Sequence, residues 1–191
     1  MLKLLLFILL VCPVYGKQFD LLEELKLENL NYIHIEGTIE QDMASEIISN
    51  IFEQDEDFYI YIDSNGGDVE SGLKIVKMMK YLQTENIKIK CIADKAMSMA
   101  FHIFQHCDER LVTQNSVLMQ HEMSIHLEGN IKDTEQLYYK YLQWDNEINT
   151  FDSARIKMDK TQYLLELKNE LWFTGDDIIS HNIADRKVII K

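Results

Sequence analysis

Between residues 32 and 119 the chain switches repeatedly between two hydrophobic periods, and that alternation restricts the fold more than any other feature. Tyr32-Ile33-His34-Ile35-Glu36-Gly37 alternates with period two and stops at a turn residue, which predicts a strand. Over 40–52, Met43, Ile47, Ile48 and Ile51 fall on one helical face. Residues 58–62 form a short apolar, aromatic strand that ends at Asp63-Ser64-Asn65-Gly66-Gly67, a loop by composition. A second helix over 69–82 aligns Val69, Leu73, Val76, Met79 and Leu82; a strand over 87–92, a buried helix over 97–106 and a buried strand over 117–119 follow. Strands separated by helices of about a dozen residues require βαβ units, hence a largely parallel sheet with helices outside it. Residues 131–158, polar and aromatic without Gly or Pro, predict one long helix. A short helix over 163–169 and a strand over 188–190 complete an α/β order. No repeat or linker divides the chain after its first residues, so 17–191 reads as one domain.

Residues 1–16 follow different rules. A short positive start at Lys3 precedes nine unbroken apolar residues, Leu4 to Cys12, and then Pro13-Val14-Tyr15-Gly16. Nine residues cannot cross a hydrocarbon core that needs about 20. A charged start, a short apolar run, a helix breaker and small residues at Val14 and Gly16 fit a cleavable secretory signal peptide; a buried N-terminal strand or helix is the alternative. The expected address is the secretory pathway or the exterior, with membrane anchoring as the other outcome.

The chain carries 19 basic and 32 acidic side chains, a net charge of −13. Phosphate neutralisation needs clustered Lys and Arg, so no nucleic-acid partner is expected. Cys12, Cys91 and Cys107 are too few and too scattered for a disulfide scaffold or a four-cysteine zinc site. Beyond the leader, Cys91 and Cys107 can pair in an oxidising compartment, although two buried thiols are the simpler expectation.

Three segments could carry chemistry. Ser64-Asn65-Gly66-Gly67-Asp68 joins a strand to a helix, where glycines allow a close backbone approach and a helix start offers free N–H groups. Lys95-Ala96-Met97-Ser98-Met99-Ala100 sets one Ser at the start of a buried helix, either as a cap or as a nucleophile beside an oxyanion-binding amide. Met119-Gln120-His121-Glu122-Met123 places a His just past a buried strand, where it can be a core side chain or a general base. His102 and His106 stand four apart next to Cys107 and Asp108. With no further ligand in the pattern they read as solvated imidazoles on a half-buried helix, and no metal or cofactor is expected.

Taken in order, these segments resemble the Clp protease proteolytic subunit (ClpP) family over about residues 32–190. Tyr59-Ile60-Tyr61-Ile62-Asp63-Ser64-Asn65-Gly66-Gly67 is similar to the family's strand and Asn-Ser-Pro-Gly-Gly. Ala96-Met97-Ser98-Met99-Ala100 resembles Ala-Ala-Ser-Met-Gly/Ala, and Asn115-Ser116-Val117-Leu118-Met119-Gln120-His121 resembles Pro-Asn-Ser-Arg-Val-Met-Ile-His. Trp172-Phe173-Thr174-Gly175-Asp176-Asp177 followed by Asn182-Ile183-Ala184-Asp185 matches the family's ending. The resemblance implies a crotonase-like spiral of ββα units with a long handle helix. It also implies a serine peptidase in which Ser98 is the nucleophile, His121 the general base, and the Gly67 and Met99 amides the oxyanion hole. Peptides or unfolded proteins would be substrates, and handle helices would pack identical subunits into rings.

Two departures qualify the expectation. The family's catalytic Asp aligns with Leu167 or Lys168, leaving Asn169 as the candidate orienting group. A signal peptide would also separate the chain from ATP and an unfoldase, so an ATP-independent peptidase is expected. A catalytically impaired scaffold that keeps the fold for binding or ring formation is the alternative. An acyl-CoA enzyme on the related fold fits less well, given the scarcity of Lys and Arg near the site.

Overall fold

The computed structural model describes residues 23–190, so the leader expected over 1–16 lies outside the described residues. The elements run β1 (Glu23–Leu25), β2 (Tyr32–Ile39), α1 (Gln41–Phe52), β3 (Phe58–Gly67), α2 (Val69–Thr84), β4 (Ile89–Met97) and α3 (Met99–Gln105). After them come β5 (Glu109–Gln120), α4 (Ile131–Arg155), α5 (Lys160–Leu167), β6 (Leu171–Thr174), α6 (Asp177–Ser180) and β7 (Arg186–Ile190). Among the described residues the sheet order is β1-β7-β5-β4-β3-β2 with every neighbour parallel, and β6 alone runs antiparallel, against β5. This is the expected α/β class, compatible with the ClpP/crotonase-like spiral.

The strands carry Ile35, Ile39, Ile60, Ile62, Ile89 and Val112 into an interior closed by Ile47 and Ile51 of α1, Ile75 and Met79 of α2, and Phe101 and Phe104 of α3. The starts of α2, α4 and α5 are fixed by side-chain caps: the Asp68 carboxylate accepts from Ser71 N (2.8 Å), Asn130 from Asp133 N (3.0 Å), and Asp159 from Thr161 N and Gln162 N. Capping of this kind contributes about 1 kcal/mol each.

β2, β3, β4, β5 and β7 each run further than their apolar runs predict. The Asp63-Ser64-Asn65-Gly66-Gly67 segment is not a loop: it continues β3, pairing Thr38 with Gly66, Ile39 with Gly67, and Asp63 and Ser64 with Lys95 and Ala96. Its small polar residues suit a strand whose neighbours approach closely. Bulges between Glu36 and Thr38, at Ile62/Asp63 and between Ala93 and Lys95 break the period of two, which is why alternation ran out there. They bend β2, β3 and β4 at one level and re-aim their carboxyl ends. In β5 a bulge over 113–116, where Thr113 N donates to Ser116 Oγ (2.7 Å), hides the first half of the strand from its pattern. β1, β6 and α6 are too short to show a period.

Cys91 on β4 and Cys107 after α3 form a disulfide with Cα atoms 5.8 Å apart, correcting the expectation of two free thiols. Both are buried, and the bridge ties the end of α3 to the strand that leads into it.

Candidate active site

In a parallel sheet the carboxyl ends of the strands open a crevice where ligands bind. Here β3 delivers Gly67, β4 delivers Ser98, and β5 ends one residue before His121. All three, with Met99, line a cleft of about 230 Å3 whose far wall is α4, through Asp145 and Asn149.

Ser98 sits between β4 and α3 at φ +53°, ψ −122°, a backbone conformation that L residues adopt only where the surroundings impose it. Two contacts impose it: Ser98 N donates to Met119 O (2.8 Å), and Ser98 O accepts the first α3 bond from His102 N (3.2 Å). A sharp strand-to-helix turn of this kind holds a Ser hydroxyl out of the sheet. Met99, the first residue of α3, has an N–H without an intrahelical acceptor, and it lines the same cleft as Gly67. Gly66, at φ +91°, lets β3 pass against this turn, where a Cβ would stand 2.6 Å from Met97 O and 2.9 Å from Met99 N; Gly67, at φ +152°, lies against the Ile39 backbone of β2.

His121 is half-buried at the start of the irregular segment 121–130. Its Nδ1 is 2.7 Å from Glu122 O. A carbonyl only accepts, so Nδ1 is the donor in this contact, and in the neutral ring that leaves Nε2 as the acceptor a general base needs. The expected orienting residue, Asn169, is not brought to the cleft. α5 ends by burying Leu167, which turns residues 168–170 to solvent, and Asn169 N donates to Glu166 O (3.1 Å) there.

The carboxylate that lines the cleft, Asp145, comes instead from α4, and Asp152 lies about two turns further along the same helix. Burial, with the Glu122 charge beside it, pushes the Asp145 carboxyl above its ordinary value against the opposing pull of Asn149. Asp152, fully buried, accepts from His102 Nδ1 (2.8 Å) and from Gln120 Nε2 (3.2 Å). His102 Nε2 in turn meets His106 Nε2 at 3.2 Å, and His106 stacks on Phe151 at 3.7 Å. Both imidazoles are therefore buried and hydrogen-bonded, not solvated as expected. Desolvation, helped by the His102, Lys80 and Arg155 charges, takes His106 down to about 2, so it is neutral at physiological pH. Cys107 is committed to the disulfide and Asp108 caps Ile89 N (2.8 Å); among the described residues no three metal-ligating groups converge. Burial, then Asp152 and Asp145, push the Tyr163 phenol upward beside the same network.

Sequence reasoning missed Asp145, Asn149 and Asp152 as site-side residues. Their spacing places them on one face of α4, with Ile148 and Ile156 beside them, but polar residues on a long helix read as a solvated face until the sheet brings that face inward.

A family model described as Clp protease matches residues 17–190. The chain belongs to the Clp protease family. Among its relatives are the ATP-dependent Clp protease proteolytic subunit of Borreliella afzelii, 23% identical over 92% of this chain and 90% of that one, and subunit 1 of Borreliella burgdorferi, 24% identical over 90% of each. The Deinococcus radiodurans subunit is 21% identical over 90% of this chain and 86% of its own length. Family membership supports a ClpP-like peptidase.

Proposed function

We propose that this chain is a serine-type peptidase that cleaves peptides or unfolded proteins without ATP. The observation that carries the reading is the gathering of Ser98, His121 and the Gly67 and Met99 backbone at one carboxyl edge of the sheet. Ser98 Oγ attacks the scissile carbonyl carbon while His121 Nε2 takes its proton. The resulting oxyanion is held by the two amides, each of which typically contributes 10²–10³ in rate. Collapse breaks the C–N bond, His121 returns the proton to the leaving amine, and water releases the acyl group by the same route.

Homo-oligomerisation into rings through α4 is part of the proposal, supported by the exposed Tyr138, Tyr139 and Leu142 along that helix. So is a secreted or secretory-pathway location, which the apolar run at 4–12 and the Cys91–Cys107 disulfide support. Such a location separates this chain from the ATP that the relatives' names invoke. A second reading, a catalytically impaired scaffold, is favoured by one observation: His121 Nδ1 is held by a backbone carbonyl, not by a carboxylate. Replacing the orienting Asp of a trypsin-type triad with Asn lowers turnover by about 10⁴. Hydrolysis of an unstructured fluorogenic peptide, without nucleotide, separates the readings. The peptidase gives turnover that Ser98→Ala and His121→Ala abolish, and the scaffold binds the peptide without cleaving it.

A further inference from the structure

His121 lies where the sheet ends and no helix begins, so neither regular element fixes its backbone. Its N–H donates to Gln120 Oε1 (3.1 Å), a side-chain acceptor, and the other end of that carboxamide donates to Asp152 Oδ2 (3.2 Å). The amide orientation follows from chemistry: an N–H can only donate and a carboxylate can only accept, so Gln120 fits one way round. Asp152 Oδ1 takes His102 Nδ1–H at 2.8 Å, and His102 N closes the first turn of α3 on Ser98 O. One buried carboxylate thus joins the strand that ends at the base, the helix that begins at the nucleophile, and α4. His102 is 3% exposed, Gln120 5% and Asp152 0%.

Such an arrangement is a poor way to add stability. Burying a carboxylate costs several kcal/mol of hydration, and an apolar replacement of equal volume usually serves a core as well. Its return is geometric: a satisfied polar network admits one arrangement of its members where an apolar contact admits several. Where the resembling family has Ile before the His, this chain has Gln120, and the orienting group expected at Asn169 faces solvent.

We propose that Gln120 and Asp152 are positioning residues for His121, holding the base from its backbone N–H in place of a carboxylate on its ring. The inference rests on the peptidase reading for its effect on rate, but the hydrogen bond itself can be tested without turnover. Gln120→Met keeps the volume and deletes both carboxamide bonds; Asp152→Asn keeps the shape but leaves one acceptor oxygen for the two donors His102 Nδ1–H and Gln120 Nε2–H. Both variants are expected to lower kcat on the fluorogenic peptide by about 10- to 100-fold, the scale of a base displaced by about 1 Å, with KM within about twofold. Amide hydrogen exchange at His121 is expected to accelerate in both, including Asp152→Asn, which does not touch that bond directly. Leu118 and Met119 in the preceding strand should keep their protection, which a general loss of structure would not spare. Should Asp152→Asn not fold, Gln120→Met carries the test alone. Unchanged kcat with unchanged His121 exchange overturns the inference. Wild-type protein without turnover removes the peptidase reading, and His121 exchange then decides the positioning claim on its own.

Discussion

Gly66→Ala tests the packing behind the proposed oxyanion side of the cleft. At φ +91° an L residue costs about 1–2 kcal/mol more than Gly. The added methyl would also stand 2.6 Å from Met97 O, 2.8 Å from Ser98 Cβ and 2.9 Å from Met99 N. Two of these neighbours are backbone atoms and the third is Ser98 Cβ, the first carbon of a side chain, so no flexible side-chain end can swing away. Overpacking of this kind typically adds 1–3 kcal/mol, giving a total of about 3 kcal/mol. For a chain of this length that lowers Tm by roughly 6–12 °C. The relief available is a shift of the β4–α3 turn away from β3, which moves Ser98 and the Met99 amide together. A displacement near 1 Å costs about 10²-fold in rate. Thermal melting followed by circular dichroism, together with the rate of fluorophosphonate labelling at Ser98, reads both effects below the variant's Tm. Gly175→Ala is the control: at φ +57° with no atom within 4 Å of its Cβ, it bears only the conformational cost and should leave labelling unchanged. A Gly66→Ala protein that labels at the wild-type rate refutes the claim that this contact sets the site geometry.

Further outcomes follow from the same structure. Replacing both Cys91 and Cys107 by Ala, which opens a bridge with a sequence separation of 16, should cost about 3 kcal/mol in urea unfolding. His106, near 2 when folded against 6.5 when unfolded, makes acid destabilising: the unfolded chain takes the proton first. Its contribution is complete above pH 6.5 and declines below it by at most about 1.4 kcal/mol per pH unit, a slope that His106→Phe should flatten in melts from pH 7 to 5. Asp185 presents its carboxylate to Arg110 Nη2 (2.7 Å), Nε (3.1 Å) and backbone N (2.8 Å). Asp185→Ala leaves the buried guanidinium short of partners and should cost about 2 kcal/mol in the same urea assay, a value reduced because Asp185 itself is 38% exposed.

What the sequence made legible follows from how locally each feature is encoded. α1 and α2 declare themselves because their apolar residues recur at helical spacing and pack against one sheet face. The second half of β3 does not, since Ser64 through Gly67 are strand residues only because β2 and β4 flank them. Ser98, Met99, Gly67 and His121 were accessible because short motifs sit at the ends of strands that a parallel sheet aligns. The α4 residues were not: Asp145 and Asp152 lie 24 or more positions from His121 in the chain and reach the site through the packing of α4 beneath β5 and α3. Likewise no residue pattern distinguishes a disulfide from two neighbouring thiols; that depends on β4 and the end of α3 lying 5.8 Å apart at Cys91 and Cys107.

The claim that Ser98 and His121 work as nucleophile and base is tested most directly by intact-mass and peptide-level mass spectrometry after fluorophosphonate treatment of the folded protein. The account predicts one adduct, on Ser98, absent from Ser98→Ala and lost or strongly slowed in His121→Ala. Folded wild-type protein that takes up no adduct at Ser98, or a His121→Ala variant that labels as fast as wild type, would contradict it.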